Sequence, residues 1–148
     1  MVPEGDVIAL YRALRAQLPP EEARASAQLA GLKTARYVLA NRIPRVARLL
    51  LRVLPPSLAA PLLVASITKH TWTFAGSGTV SAAAGPPARI AIEGCPICRD
   101  AVGDASLCDY YAASFEGLFR ALVSRRATVT EVACEARGAK GCVFEIAY

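Results

Sequence analysis

Residues 106–148, SLCDYYAASFEGLFRALVSRRATVTEVACEARGAKGCVFEIAY, hold the reading on which the rest of the chain depends. From Ser106 the apolar positions Leu107, Tyr110, Tyr111, Phe115, Leu118, Phe119, Leu122 and Val123 recur at helical spacing, which predicts a helix with a nearly unbroken apolar stripe. Ser106 followed three residues later by Asp109 resembles a capping box with the shorter acid. Residues 127–135 and 142–148 read as a closing hairpin, turned by Arg137-Gly138-Ala139-Lys140-Gly141. Cys108 then falls in the first turn of the helix, Glu131 and Cys134 on one strand, and Cys142 at the start of the other. Three thiolates and a carboxylate make a closed set of the kind that holds zinc tetrahedrally, and a shell with no open position points to structure rather than catalysis.

The neighbours and the parity of these residues set conditions on that set. Opposed across the hairpin, Cys134 and Cys142 would share a face with Val132, Phe144 and Ile146, and two buried thiols or a cross-strand disulfide are the plainer alternatives. Glu131 and Cys134 differ in parity, so joint ligation requires a bulge or twist between them. Cys108 gains from its place near a helix N-terminus, where the thiolate is favoured; its plainer role is a small core residue.

At 148 residues and 54% hydrophobic content the chain is long enough to bury one core, so a single domain over 1–148 is expected, helical over about 1–69 and sheet-forming with the metal set over about 70–148. The uncharged run Val53 to Thr68 is short for a bilayer span and broken by Pro55, Pro56 and Pro61. With no basic region followed by an apolar stretch at the start, the expected location is cytoplasmic, with peripheral membrane contact open to it, and five cysteines read as thiols or ligands. The net charge of +5 is uneven: nine Lys/Arg against four Asp/Glu up to Arg52, eight against eight beyond. Arg42, Arg45, Arg48 and Arg52 recur at helical spacing and can face solvent, phosphate, lipid headgroups or a carboxylated ligand. No interleaved aromatics or binding motif accompany them, so nucleic acid is not an expected partner.

Taken in order, the chain predicts helices over 5–17, from Pro20 to about Leu39 with Gly31 weakening the middle, from Pro44 to Val53, and from about Leu58 to Thr68 with Ser57 as cap. At His70 the period changes to two, predicting a strand with His70, Trp72 and Phe74 on one side, turned by Gly76-Ser77-Gly78. Ser81 to Pro87 reads as a loop or weak edge strand, and Arg89 to Glu93 as a strand ended by Gly94-Cys95-Pro96. Cys95-Pro96-Ile97-Cys98 can present two sulfurs to one metal, form a redox pair, or place Cys98 and Arg99 on a ligand-contacting loop. A rival metal set joins Cys95 and Cys98 to Cys134 and Cys142. His70, the one histidine, suits a partly exposed strand position, a general base or an axial ligand. Trp72, Phe74, Tyr110, Tyr111 and Phe115 suit either a flat apolar pocket or the core. No glycine-rich dinucleotide fingerprint follows a predicted strand, and no phosphate loop is present.

Three stretches, Ala35-Arg36-Tyr37-Val38-Leu39-Ala40-Asn41-Arg42-Ile43-Pro44, Trp72-Thr73-Phe74-Ala75-Gly76-Ser77-Gly78 and Cys108-Asp109-Tyr110-Tyr111-Ala112-Ala113-Ser114-Phe115-Glu116, resemble the 4-vinyl-reductase-domain proteins of bacteriochlorophyll biosynthesis. The closing pattern Glu131-x-x-Cys134, Gly138, Cys142, Phe144 is similar to the signature of that domain. Related sensor domains of aromatic-responsive regulators bind zinc through three cysteines and a glutamate, so the resemblance implies structural zinc on Cys108, Glu131, Cys134 and Cys142. It implies an α/β (α+β) fold like that of vesicle-tethering subunits, with N-terminal helices and a long helix packed on an antiparallel sheet, and a tendency to form homodimers. Family members begin earlier, which implies a segment before Met1. The chain departs from the family at Cys95, where an asparagine is expected.

For this branch the implied ligand is a magnesium tetrapyrrole, divinyl protochlorophyllide or chlorophyllide, whose 8-vinyl group is reduced in the pathway. The expected role is carriage of that pigment or assistance to its reduction, with the ring against His70, Trp72, Phe74, Tyr110, Tyr111 and Phe115, near Cys98 and Arg99. Alternatives are the 8-vinyl reductase itself, drawing on an external electron donor, and a zinc-stabilised sensor or scaffold for other pathway enzymes.

Overall fold

The computed structural model describes residues 3–70 and 75–148. Four helices come first: α1 (Glu4–Gln17), α2 (Pro20–Asn41), α3 (Arg45–Val53) and α4 (Pro56–Lys69). Strands β1 (Thr79–Ala83) and β2 (Ala88–Glu93) follow, then helix α5 (Asp109–Leu122), strand β3 (Thr128–Ala133), a single 3-10 turn (Glu135–Arg137) and strand β4 (Cys142–Ala147). Prolines open the helices as the sequence suggests, since a proline at the first turn loses no hydrogen bond. Pro55, rather than Ser57, precedes the first turn of α4. Helix α5 begins at Asp109, with Cys108 as its N-cap and no side-chain capping bond, so the expected capping box does not form.

The sheet is antiparallel throughout, in the order β1-β2-β4-β3. Along β2 and β4 the side chains alternate: Ala88, Ile90, Ile92, Cys142, Phe144 and Ile146 are buried. Arg89 and Glu145 pair on the other face. This is the pattern of a sheet with one face on the core. Helix α5 lays Tyr111, Phe115, Phe119 and Leu122 into that core, and Phe115 and Tyr111 meet Phe144 edge-on at 5.4 and 6.1 Å between ring centres. Thr79–Ala83 is an edge strand with mostly exposed side chains, against which α4 packs.

Helix α2 covers α5, and it does so with small residues. Its buried positions are Ala27, Gly31 and Ala35, each four apart. A Cβ on Gly31 would lie 2.3 Å from the Tyr110 carbonyl oxygen and 2.9 Å from Ala113 Cβ; one on Gly117 would lie 2.7 Å from Ala35 Cβ. Gly31 therefore permits the closest approach of the two backbones rather than merely weakening its helix. The Ser114 hydroxyl, buried in the same seam, bonds to the Gly31 and Tyr110 carbonyls at 3.2 and 2.7 Å.

The expected strand from His70 to Phe74 falls largely on residues outside the described set. His70 itself is not on a strand: it ends α4, exposed, with its Nδ1 2.8 Å from the Ser66 carbonyl. Among the described residues no helix is long and apolar enough to cross a membrane.

Gly31→Ala is expected to lower unfolding free energy by about 1–3 kcal/mol or more, because the added methyl meets backbone that cannot move aside. Gly5→Ala, on α1 with open space around it, is expected to raise stability by up to about 1 kcal/mol. Urea unfolding of both variants checks the pair of signs.

Candidate functional site

Three segments that are distant in sequence meet at one end of the core. The first is the turn after β2, where Gly94 takes a positive φ of 70° and releases the chain into Cys95-Pro96-Ile97-Cys98. The second is the N-cap of α5, Cys108. The third is the β3–β4 hairpin, carrying Glu131, Cys134 and Cys142. Pairing of Ile92 with Cys142 brings the end of β2 beside the start of β4, which is why the first segment arrives at the third.

All five cysteines are buried, none more than 1% exposed. The bulge that parity demands is present: the register of β3 against β4 shifts between Glu131 and Ala133, with Glu131 opposite Phe144 and Ala133 opposite Val143. The shift turns both Glu131 and Cys134 inward and leaves Val132 43% exposed, so Val132 does not share the cysteine face as the regular strand would have it.

The sulfurs are in mutual contact. Cys108 Sγ lies 3.4 Å from Cys142 Sγ and 3.4 Å from Cys95 Sγ; Cys142 Sγ lies 3.3 Å from Cys98 Sγ and 4.0 Å from Cys134 Sγ. Tetrahedral zinc with zinc–sulfur bonds of about 2.3 Å holds its sulfurs about 3.8 Å apart, so the spacing suits ligands of a metal. Two four-residue groups have all their ligand atoms within 4.8 Å of one another: Cys108, Glu131, Cys134 and Cys142, and Cys95, Cys98, Cys108 and Cys142. The first is the set read from the sequence. The second corrects the rival reading, in which Cys134 stood where Cys108 stands.

The carboxylate fits the same chemistry. Glu131 Oε2 accepts the Cys108 backbone N–H at 3.0 Å, while Oε1 is buried without a hydrogen-bond partner. Such an orphaned oxygen is costly unless something positive or protonated faces it. Burial, then the Cys134 sulfur, push the Glu131 carboxyl up to about 8. Hydrogen bonds from Cys108 hold the thiols of Cys95, Cys98 and Cys134 low, while Cys108, bonded first to Cys134, is held high. Backbone amides of Leu107 and Glu135 point at the Cys134 and Cys142 sulfurs. A buried anionic cluster of this kind is what a soft divalent cation neutralises.

Glu135, unremarked in the sequence, clamps the first segment to the third: its carboxylate accepts the N–H groups of Gly94 at 2.6 Å and Cys95 at 3.0 Å. Arg99 has a comparable role. Its guanidinium donates to Glu4 at 2.7 Å, Ser77 at 3.1 Å and the Gly94 carbonyl at 2.5 Å, joining α1 to two turns. Of the other residues assigned to a ligand, Cys98 is inside the sulfur cluster, Tyr111 and Phe115 are core residues 2% and 3% exposed, and Tyr110 donates to Thr34 at 3.1 Å and stands edge-on to Tyr11. His70 is at the end of α4, and Trp72 and Phe74 lie outside the described residues.

A cleft of about 640 Å³ lies beside the cluster. Its walls are α1, the start of α2 and the loop 99–107, which runs from Cys98 to Cys108. Tyr11, Leu14, Ala27 and Leu107 supply apolar surface, and Arg12, Arg15 and Arg24 supply charge. Arg12 pairs with Asp100 at 3.2 Å, Arg24 with Asp109 at 3.4 Å, and Arg15 donates to the Ile97 carbonyl at 2.8 Å. The sequence signal for this cleft was slight: two arginines three apart on α1.

Glu135→Ala is expected to free the Cys95–Cys98 turn. Its thiols should react faster with a disulfide reagent than in the parent, with stability lowered by about 1–3 kcal/mol for the lost charge-assisted bonds. Unchanged thiol reactivity would show that other contacts hold the turn.

Comparison with known proteins supplies the family. Residues 88–147, from β2 to β4, match the model of the 4-vinyl-reductase (4VR) domain. The chain is 45% identical over 146 residues to the bacteriochlorophyll synthase 23 kDa chain of Cereibacter sphaeroides, covering 99% of this chain and 70% of the relative. Two solved structures share the fold at low identity. The phenol-responsive sensory domain of the transcription activator PoxR aligns with a TM-score of 0.67 at 15% identity, over 98% of this chain and 74% of that one. Trafficking protein particle complex subunit 3 of Naegleria fowleri aligns with a TM-score of 0.63 at 9% identity, over 98% of this chain and 96% of that one. The architecture is thus the α+β fold that the sequence resemblance implied, and the chain belongs to the 4-vinyl-reductase-domain family of bacteriochlorophyll biosynthesis, alongside the 23 kDa chain of bacteriochlorophyll synthase.

Proposed function

We propose that the protein is a carrier for a magnesium tetrapyrrole intermediate of bacteriochlorophyll biosynthesis, divinyl protochlorophyllide or chlorophyllide, and serves the pathway's enzymes with it. The observation that carries this reading is the cleft, where apolar side chains and three arginines converge in a volume within the range of about 300–1,000 Å³ typical of small-molecule sites. A tetrapyrrole presents a flat apolar ring and an ionised carboxylate. The ring would lie against Tyr11, Leu14 and Leu107, and the carboxylate would exchange into the Arg12 or Arg24 pairs. This moves the pigment from Tyr111 and Phe115, which the core occupies, to the neighbouring loop. The PoxR domain, described with phenol, supports a ring ligand in this fold.

In the same reading Cys108, Glu131, Cys134 and Cys142 hold structural zinc. The ion would supply no chemistry to the ligand; with four protein ligands it would fix the end of α5 against the hairpin. Chelation is expected to lower the unfolding temperature and Glu131→Gln to weaken metal retention, measured by metal analysis of the dialysed protein.

Titration of the pure protein with divinyl protochlorophyllide, with and without a reductant, tests the carrier. A spectral shift without turnover is expected, weakened at least about tenfold in Arg12→Glu or Arg24→Glu, the loss of roughly one charge-assisted contact. Turnover would make the protein the 8-vinyl reductase, and no shift would leave a scaffold.

Helix α3 supports a peripheral membrane location. Val46, Leu49, Leu50 and Val53, spaced at i, i+3, i+4 and i+7, are 51–80% exposed and flanked by Arg42, Arg45, Arg48 and Arg52. An apolar stripe with arginines beside it suits the surface of an anionic bilayer. The full chain should cosediment with anionic vesicles more than with zwitterionic ones, and Leu49→Ser/Leu50→Ser should abolish the difference. If those changes instead split a homodimer, the stripe is a subunit interface.

A further inference from the structure

We infer that the cysteine cluster is a binuclear centre: two divalent, thiolate-seeking ions of the zinc class, bridged by the sulfurs of Cys108 and Cys142. One ion takes Cys95, Cys98, Cys108 and Cys142; the other takes Glu131, Cys134, Cys108 and Cys142. This rests on the reading of Cys108, Glu131, Cys134 and Cys142 as a metal site, and adds a second ion to it.

The count of donors is the first argument. Six side chains form two complete four-ligand groups that share two members, so two tetrahedral ions use every donor and leave none over. Only Cys108 and Cys142 belong to both groups, and their sulfurs sit 3.4 Å apart, side by side, as two bridging atoms between a pair of metals must. Thiolate sulfur has lone pairs for two metals, whereas the Glu131 carboxylate, at the far end, offers its orphaned Oε1 to one.

A single ion leaves a remainder. If it occupied the group with Glu131, Cys95 and Cys98 would stay as thiols, buried at 0% and 1% exposure, with sulfurs 3.4 and 3.3 Å from metal-bound sulfurs. If it occupied the other, Glu131 Oε1 would keep no partner. Charge points the same way. Three thiolates and a carboxylate around one divalent ion leave two net negative charges. Adding two thiolates and a second divalent ion leaves the same two, so the second site enters without further buried charge. Backbone amides already face the sulfurs to balance what remains: those of Glu135 on Cys142, Leu107 on Cys134 and Cys98 on Cys95. The bridging positions are held by protein sulfur, so the centre needs no inorganic sulfide.

The second ion also has a place in the architecture. The loop 99–107 that walls the cleft is bounded by Cys98 and Cys108, and both belong to the group that takes this ion. An ion there would fasten the two ends of the loop together. Its removal should therefore loosen the cleft as well as the cluster.

The test is metal stoichiometry of the full chain, reconstituted with zinc and separately with cobalt as a spectroscopic probe. Two ions per chain are expected, with cobalt–thiolate charge-transfer bands that grow over two equivalents. The cobalt paramagnetic resonance should weaken as the second equivalent couples to the first through the shared sulfurs. Cys95→Ser/Cys98→Ser should retain one ion and an uncoupled cobalt signal while far-ultraviolet circular dichroism is unchanged; if that variant does not fold, the wild-type stoichiometry and coupling decide. One ion in the wild type, kept by Cys95→Ser/Cys98→Ser, overturns the binuclear centre and leaves the single structural site intact. No ion in either protein overturns both.

Discussion

The burial of five thiols and a carboxylate where three chain segments meet is the constraint on which the rest of the fold depends. What arrives at that point is sulfur, one glutamate with an unpartnered oxygen, and backbone amides aimed at them. Apolar packing of the sheet on α5 brings the pieces near, through Ile90, Ile92, Phe144 and Phe115. It does not fix them, because contacts among aliphatic and aromatic groups carry no directional preference. The directional bonds come from Glu135 to the Gly94 and Cys95 amides and from Glu131 to the Cys108 amide. Those bonds hold the sulfurs within 3.3–4.0 Å of one another.

Outside that point the molecule is joined by arginines. Arg15 reaches the Ile97 carbonyl, Arg12 reaches Asp100, and Arg99 reaches Glu4, Ser77 and the Gly94 carbonyl, so α1 and the segment after β2 are fastened along their length. The Glu4 carboxyl is held below its usual range by the Ser77 hydroxyl and by Arg99. A depressed carboxyl contributes stability above its unfolded value and loses it as pH falls through the folded one, so acid releases this latch first at α1. The cleft between α1 and the loop inherits that dependence.

What the sequence made legible was local. The stripe of α5, the hairpin and the need for an irregularity between Glu131 and Cys134 follow from periods of 3.6 and 2, and a register shift stands between Glu131 and Ala133. The partner of Cys95 and Cys98 was not legible, because it depends on Ile92 pairing with Cys142 across the sheet. Parity also misplaced Val132, since the bulge that rescues Glu131 carries Val132 outward. Gly31 read as a weakness of α2 because its partners, Tyr110 and Ala113, are about eighty residues away in sequence and no propensity reports them. His70 sits where a helical period ends and an alternating one was inferred, and the backbone follows the helix as far as Lys69.

The relation between cluster and cleft is the step that joins structure to function. The loop 99–107 is poorly equipped to hold itself: Val102 is 97% exposed, and Gly103, Asp104 and Ala105 bring little to bury. Within its span, one backbone bond, from Gly103 N–H to the Ala136 carbonyl at 2.9 Å, reaches the hairpin. Its order must therefore come largely from its ends, and those ends are Cys98 and Cys108. A site wall anchored in this way is rigid only while its anchors are, which makes the cysteine cluster a determinant of ligand affinity even though its buried sulfurs do not line the cleft.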